Sequence, residues 1–247
     1  MKKLNKFFYV IILMLLSNSL FAQSSSAKLT DFDEAVRSSR VEMRKYCALV
    51  QQLMKENDAA KKNIAVTHIS NSIDLWKEVE KFGDNIPEEY AGDKNFPQEL
   101  IQLSVKLDEM KSKLVEDQFK ESFEACGAAC GLFVKLHEEN NLHYALDKLF
   151  HLRKAVKKMQ GDLTANDESL IENDIKSILQ KRNDVVAVDM KLNPGLADNE
   201  EYRKYIMEVS DLTDEIAFNY FNKKVIQLEE KLNDLFATIN KAYSLAL

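Results

Sequence analysis

The chain has 247 residues, of which 34 are lysine or arginine and 40 are aspartate or glutamate, so its formal net charge is −6. An acidic chain is a poor partner for nucleic acid or for an anionic lipid surface, and we expect neither. With only three prolines and six glycines, and with no period-2 alternation of apolar residues, the composition predicts an all-helical fold.

The first 22 residues predict a secretory signal peptide. Three lysines precede a short apolar run, 7–16, and the small residue Ala22 is a suitable cleavage point before Gln23. The run is shorter than the roughly 20 residues that a bilayer span needs, although an uncleaved anchor is the alternative. Cleavage leaves a net charge of −9. We therefore expect an exported protein, in the periplasm or secreted, with no membrane span in its mature part.

A short linker, 23–30, precedes the first of eight predicted helices, which Thr30 or Asp31 can cap. Apolar residues recur at spacings of three and four, which places one face of each helix toward a core. In the first helix this stripe contains Val36, Met43, Cys47, Val50 and Met54. The eight helices are predicted at 31–57, 59–82, 97–116, 118–139, 142–161, 167–190, 199–217 and 220–245.

Two proline-containing segments, "FGDNIPEEYAGDKNFP" and "LNPGLADN", are predicted loops, because proline disfavours helix for the residue before it. Each follows the second helix of a group of four. The two groups also match in sequence, 43–58 with 152–167 and 125–137 with 231–243. Such an internal repeat predicts two copies of one unit.

We therefore expect two tandem antiparallel up-and-down four-helix bundles, 31–140 with the cysteines and 141–247 without them. One continuous eight-helix domain is the alternative. The segment between the copies contains no strong helix breaker, so it also allows the fourth and fifth helices to continue as one rod.

The helix lengths and loop positions of the first copy form a pattern of their own. Its second helix ends in "DLWKEVEKF", a proline-containing crossover leads to "FPQELIQLSVKLDEMKSKL", and the fourth helix carries cysteines and a late histidine. Over 36–139, and more faintly in the second copy, this resembles the four-helix haem cytochromes, namely the cytochrome c′ family and its b-type relatives. The resemblance implies an exported helical bundle.

The haem motif of that family is degraded in this chain. The family attaches haem through Cys-x-x-Cys-His, whereas this sequence has Cys126-x-x-x-Cys130 with no histidine after it. The b-type relatives hold haem between an early methionine and a late histidine. His137 matches the histidine, but Val36 occupies the opposite position and cannot bind iron. We therefore expect no cofactor, with His137 as the axial residue in the alternative that haem is bound.

All three cysteines belong to the mature part, and export would place them where a disulfide persists. In an antiparallel helix pair, residues at equal height share a constant sum of residue numbers. For the first and fourth helices that sum is about 171, and Cys47 with Cys126 sums to 173, as does Met43 with Cys130. A Cys126–Cys130 disulfide would distort the helix, because β-carbons four residues apart are about 5–6 Å from each other. We favour Cys47–Cys126, with Cys47–Cys130 as the alternative.

The same residues suggest two further interpretations. Thiolates and a thioether suit Cu(I), so Met43, Cys47, Cys126 and Cys130 form a candidate copper site. His137 lies about 10 Å further along the helix axis and cannot join that site. The other interpretation is that the cysteines are buried thiols that act as small core residues.

Gly127 and Gly131 directly follow two of the cysteines. Each costs about 1 kcal/mol against alanine inside a helix, so a compensating reason is expected. They indicate either a close approach of a neighbouring helix or a space for a ligand, and we favour close packing.

The sequence contains no recognisable catalytic motif. None of its four histidines stands in a metal-binding pattern such as His-Glu-x-x-His, and it has no glycine-rich phosphate loop and no serine elbow. We therefore predict a non-enzymatic exported protein with a binding or structural role toward an unknown protein or small ligand. The alternative is a periplasmic haem- or copper-binding protein that uses the first and fourth helices.

Overall fold

The computed structural model describes residues 29–165, 168–222 and 227–247. The predicted signal peptide, 1–22, and the predicted linker up to residue 28 lie outside this part. Every regular element in the described residues is a helix, which confirms the all-helical prediction. None of these helices is both long and apolar enough to cross a membrane.

Nine α-helices occur in the described part of the chain. They are α1 (29–53), α2 (Ala59–Glu80), α3 (Phe96–Val115), α4 (Phe119–Glu139), α5 (Ala145–Thr164), α6 (Glu168–Val186), α7 (Pro194–Ala197), α8 (Glu200–Phe221) and α9 (Leu228–Leu245). The single-turn helix α7 was not predicted. It begins at Pro194, because proline is well tolerated in the first turn, where its missing N–H is not needed.

The limits of α1 differ from the prediction. Residues 29 and 30 are already helical, so Thr30 and Asp31 lie inside the helix and do not cap it as we expected. The helix ends at 53, and Met54 lies in the following turn with 41% of its surface exposed. Asp58 caps α2 by accepting hydrogen bonds from two backbone N–H groups, at 2.8 and 3.1 Å. The cap lies directly before residue 59, the predicted start of the second helix, whereas α1 ends four residues before its predicted end at 57.

The chain divides into two compact units between Asn140 and Asn141. Helix α4 ends at Glu139 and α5 begins at Ala145. Asn141 has a φ of 56°, in the left-handed region that terminates a right-handed helix. The fourth and fifth long helices are therefore separate and do not form one rod.

The first unit contains α1 to α4, and successive helices in it are antiparallel. Phe32, near the start of α1, packs edge-on against Phe82, just beyond the end of α2, with ring centroids 5.4 Å apart. Further along, Ser39 donates a hydrogen bond to the Ser72 carbonyl at 2.9 Å. Helices α3 and α4 meet at both ends, where Lys135 contacts Glu99 and Ser122 contacts the Met110 carbonyl. A buried tryptophan, Trp76, links α2 to α3.

Trp76 is the largest fully buried side chain of this unit. Its indole N–H donates to the carbonyl of Leu100 at 3.0 Å, and its ring meets Phe133 edge-on at 5.4 Å. The long loop between α2 and α3 returns to the core, because Tyr90 and Phe96 are fully buried beside Phe32. The predicted loop is thus part of the hydrophobic core.

In the second unit each of the four long helices packs against two others. Helix α5 contacts α6 and α9, and α8 contacts the same two helices. Asn193, in the loop before α7, accepts a hydrogen bond from the backbone N–H of Ala145 at 3.0 Å and so caps α5. Polar contacts between antiparallel neighbours include Lys158–Asp174, Arg182–Asp214, Thr238–Glu208 and Gln160–Asn233.

The two glycines beside the cysteines do not mark a close helix contact. A β-carbon added at Gly127 or at Gly131 would meet no atom within 4 Å. Gly127 is exposed and Gly131 is half-buried. The expectation of close packing is therefore wrong, because each glycine is turned about 100° from its cysteine toward the outer side of α4.

Replacing Gly127 with alanine should stabilise the protein. Alanine is favoured over glycine inside a helix, and no neighbour obstructs the new methyl group, so we expect a gain of about 1 kcal/mol in the free energy of unfolding. Urea denaturation of the oxidised protein measures this. The control Ala128→Gly, at the next exposed position, should cost a similar amount. A less stable Gly127→Ala protein would show that the glycine serves a contact after all.

Candidate functional site

A disulfide joins Cys47 of α1 to Cys126 of α4, with α-carbons 6.2 Å apart. This separation lies within the range of ordinary disulfides. The pair is the one that the antiparallel register favours. Seventy-nine positions separate the two cysteines, so the covalent loop contains all of α2 and α3. The site therefore closes the first unit by linking its first and last helices.

Cys130 lies one turn further along α4 and is not part of the disulfide. It is half-buried, whereas Cys126 is only 4% exposed. The alternative Cys47–Cys130 pairing does not occur in this structure.

The candidate copper ligands do not form a metal site in the oxidised protein. Cys47 and Cys126 are bonded to each other, so neither can supply a thiolate. Within the described ranges, no three histidine, cysteine, aspartate or glutamate side chains come together in a way that could hold a metal ion. Met43 is 3% exposed and belongs to the hydrophobic core. The set Met43, Cys47, Cys126 and Cys130 would need a reduced protein.

His137, the candidate axial residue for haem, is 4% exposed on the core side of α4. The register set by the disulfide brings Val36 of α1 to the same height, and Val36 is also 4% exposed. A valine has no atom that can bind iron. The residues at this level therefore do not fit a haem held from two sides by the protein.

A tyrosine beside the disulfide joins three helices. The hydroxyl of Tyr46 donates to the carbonyl of Met110 in α3 at 2.7 Å and accepts a hydrogen bond from the hydroxyl of Ser122 in α4. The Ser122 oxygen also lies 3.2 Å from the oxygen of that carbonyl. Burial raises the pKa of Tyr46 to about 12. The phenol therefore stays neutral at physiological pH and acts as a structural donor.

The first unit contains a buried arginine that was not predicted from the sequence. Arg40 is 4% exposed, and its guanidinium carbon lies 4.6 Å from the centre of the Phe133 ring, a cation–π distance. Its position was visible in the sequence, since it lies between Val36 and Met43 at spacings of four and three. A charged residue inside an apolar stripe is the signal that could have identified it.

A second polar cluster that the sequence did not reveal joins α1 to α2. Glu42 accepts hydrogen bonds from Lys45 at 2.6 Å, from the Nδ1 atom of His68 at 2.7 Å and from Asn71 at 3.5 Å. Burial alone would raise the pKa of Glu42, but these hydrogen bonds outweigh it and lower the pKa to about 2. Glu42 therefore remains ionised in all but strong acid.

No protein-family model, no curated protein and no solved structure matches this chain. The resemblance to the cytochrome c′ family thus rests on the sequence pattern alone.

Reducing the disulfide should lower the free energy of unfolding by about 2–4 kcal/mol, because a chain without the cross-link gains more entropy when it unfolds than the cross-linked chain does. Urea denaturation of the oxidised and reduced protein, and of Cys47→Ser, measures this loss. The control Cys130→Ser leaves the disulfide intact and should keep most of the stability. Equal stability of the oxidised and reduced forms would contradict a stabilising role for this disulfide.

Glu42 should make the protein sensitive to acid. Since its pKa is lowered from 4.5 to about 2 in the folded state, its stabilisation is complete above pH 4.5 and is lost as the pH falls toward 2. We expect Glu42→Gln to cost on the order of 1 kcal/mol at neutral pH and to reduce the loss of stability in acid. Denaturation at several pH values tests this. Glu78→Gln, which breaks an exposed pair with Lys81, is the control and should have little effect.

Proposed function

We propose that the chain is an exported, non-enzymatic protein with a binding or structural role in the cell envelope, built from two tandem four-helix bundles. The observation that carries this proposal is the Cys47–Cys126 disulfide. Disulfides form and persist in oxidising compartments such as the periplasm and the extracellular space. This agrees with the signal peptide that the sequence predicts.

The pattern of burial supports the tandem arrangement. An offset of 109 relates the core positions of α1 to those of α5, and an offset of 106 relates α4 to α9. Val36, Arg40, Met43 and Val50 correspond to Ala145, Leu149, Leu152 and Met159, and Ala129, Phe133 and Leu136 correspond to Leu235, Ile239 and Ala242; all of these are buried. Equivalent faces pointing to the core are what two copies of one helical unit require.

The residues equivalent to the disulfide support a structural role for it. Val156 and Leu232 occupy the positions of Cys47 and Cys126 in the second unit, and both are fully buried. Helices α5 and α9, which carry them, pack against each other. The disulfide therefore stands where the second unit has ordinary apolar packing. We infer that it stabilises the first unit and performs no chemistry of its own.

Export can be tested by producing the whole chain in a Gram-negative cell and fractionating it. We expect the mature protein, lacking residues 1–22, in the periplasm or the medium, colourless, with one disulfide and one thiol. A chain made without residues 1–22 is the matched control and should stay in the cytoplasm with three thiols.

Two results would overturn this proposal. Retention of the whole chain in the cytoplasm with three thiols would exclude export. A haem absorption band, or copper that copurifies and is lost in Cys47→Ser, would instead establish the alternative function as a haem- or copper-binding protein.

A further inference from the structure

Each unit contains a buried carboxylate that is hydrogen-bonded by a lysine from the neighbouring helix. Glu99 of α3 is 6% exposed and accepts a hydrogen bond from Lys135 of α4 at 3.0 Å. Asp174 of α6 is 5% exposed and accepts one from Lys158 of α5 at 2.6 Å. The two sites lie on different pairs of helices, α3 with α4 in the first unit and α5 with α6 in the second.

Each of these lysines also contacts a second, more exposed carboxylate. The ammonium nitrogen of Lys135 lies 3.3 Å from Glu139, and that of Lys158 lies 2.6 Å from Asp162. In both cases the second acid stands four residues after the lysine on the same helix. The lysine therefore brings two carboxylates together, one buried and one closer to solvent.

The second oxygen of each buried carboxylate has no hydrogen-bond donor among the described residues. These atoms are Oε2 of Glu99 and Oδ2 of Asp174, and both are inaccessible to solvent. The other charged groups that act on the two buried acids include carboxylates: Glu139 and Asp93 for Glu99, and Asp162 for Asp174. Two ionised carboxylates within hydrogen-bonding range repel each other, whereas a proton between them makes an O–H···O bond.

We propose that Glu99 and Asp174 each hold a proton that they share with a neighbouring carboxylate. As a result, mild acid raises the free energy of unfolding of both units. The pair of Glu99 and Glu139 connects the start of α3 to the end of α4, and the pair of Asp174 and Asp162 connects α6 to α5. This inference is independent of the proposed function.

The electrostatic surroundings place the proton on the buried member of each pair. Burial raises the pKa of Glu99 and that of Asp174, and the neighbouring carboxylates raise them further, while the lysines only partly oppose this. The charged groups that act on Glu99 include Lys135 and Glu139 of α4 and Asp93 of the preceding loop, and those that act on Asp174 include Lys158 and Asp162 of α5. The pKa of Asp162 is lowered, first of all by its hydrogen bond from Lys158.

The sign of the effect follows from linkage. A carboxyl group whose folded pKa is raised binds its proton more tightly in the folded state than in the unfolded chain. Its stabilisation is therefore complete below the ordinary carboxyl pKa and is lost as the pH rises through the raised value. The dependence is opposite to that of Glu42, so the protein should be most stable in mild acid.

Carboxyl NMR titration of the mature chain tests the protonation directly, and urea denaturation at about pH 5 and about pH 8 tests its consequence. We expect Glu99 and Asp174 to titrate above the ordinary carboxyl range. Stability should fall between the two pH values in the unsubstituted protein, and Glu99→Gln and Asp174→Asn should each remove the uptake of about one proton by the folded state. The double variant should lose most of the pH dependence.

The matched control is Glu172→Gln, which removes an exposed carboxylate of α6 that pairs with Lys176 four residues later. It should leave the pH dependence unchanged. An ordinary or lowered pKa for both Glu99 and Asp174 would overturn the proposal. So would an unchanged pH dependence in the double variant. The titration uses the unsubstituted protein, so it decides the question even where an amide variant fails to fold.

Discussion

The covalent link between α1 and α4 is the constraint on which the first unit depends. These helices are far apart in sequence, and the bond between Cys47 and Cys126 fixes their register. The same register brings the guanidinium of Arg40 over Phe133 two turns away. Because the disulfide restricts the unfolded chain, the first and last helices need not find each other by apolar packing alone. In the second unit, which has no cysteine, α5 and α9 are held together by apolar packing without a covalent link.

Buried polar groups decide which helices of the first unit are neighbours. Apolar side chains attract one another without direction, whereas a buried hydroxyl or indole N–H must find an acceptor. Ser39 finds one in α2, Trp76 in α3, and Tyr46 meets α3 and α4 together. A different arrangement of the four helices would leave these donors buried without partners. The polar contacts therefore contribute specificity, and the apolar core contributes most of the stabilisation.

Two glutamates of the same unit show how the neighbours of a carboxyl group determine its charge. Glu42 meets three N–H donors and keeps its negative charge down to strong acid. Glu99 meets one lysine and two carboxylates, so burial and repulsion outweigh the single ion pair. Two side chains of the same type thus stabilise the fold over opposite ranges of pH. Apart from Lys45, which is on the same helix as Glu42, the residues that produce this contrast lie on other helices and in the loop before α3.

The sequence by itself determined the helices, their approximate limits and the favoured cysteine pair. Apolar spacing is a local property, and the register of two antiparallel helices follows from counting residues. The tertiary structure alone decided that Gly127 lies on the outer side of α4, that Arg40 is buried, and that His68 reaches Glu42 across 26 positions. The physical reason is that periodicity identifies the apolar face of a helix, while exposure, charge and hydrogen bonding depend on the side chains that neighbouring helices bring to it.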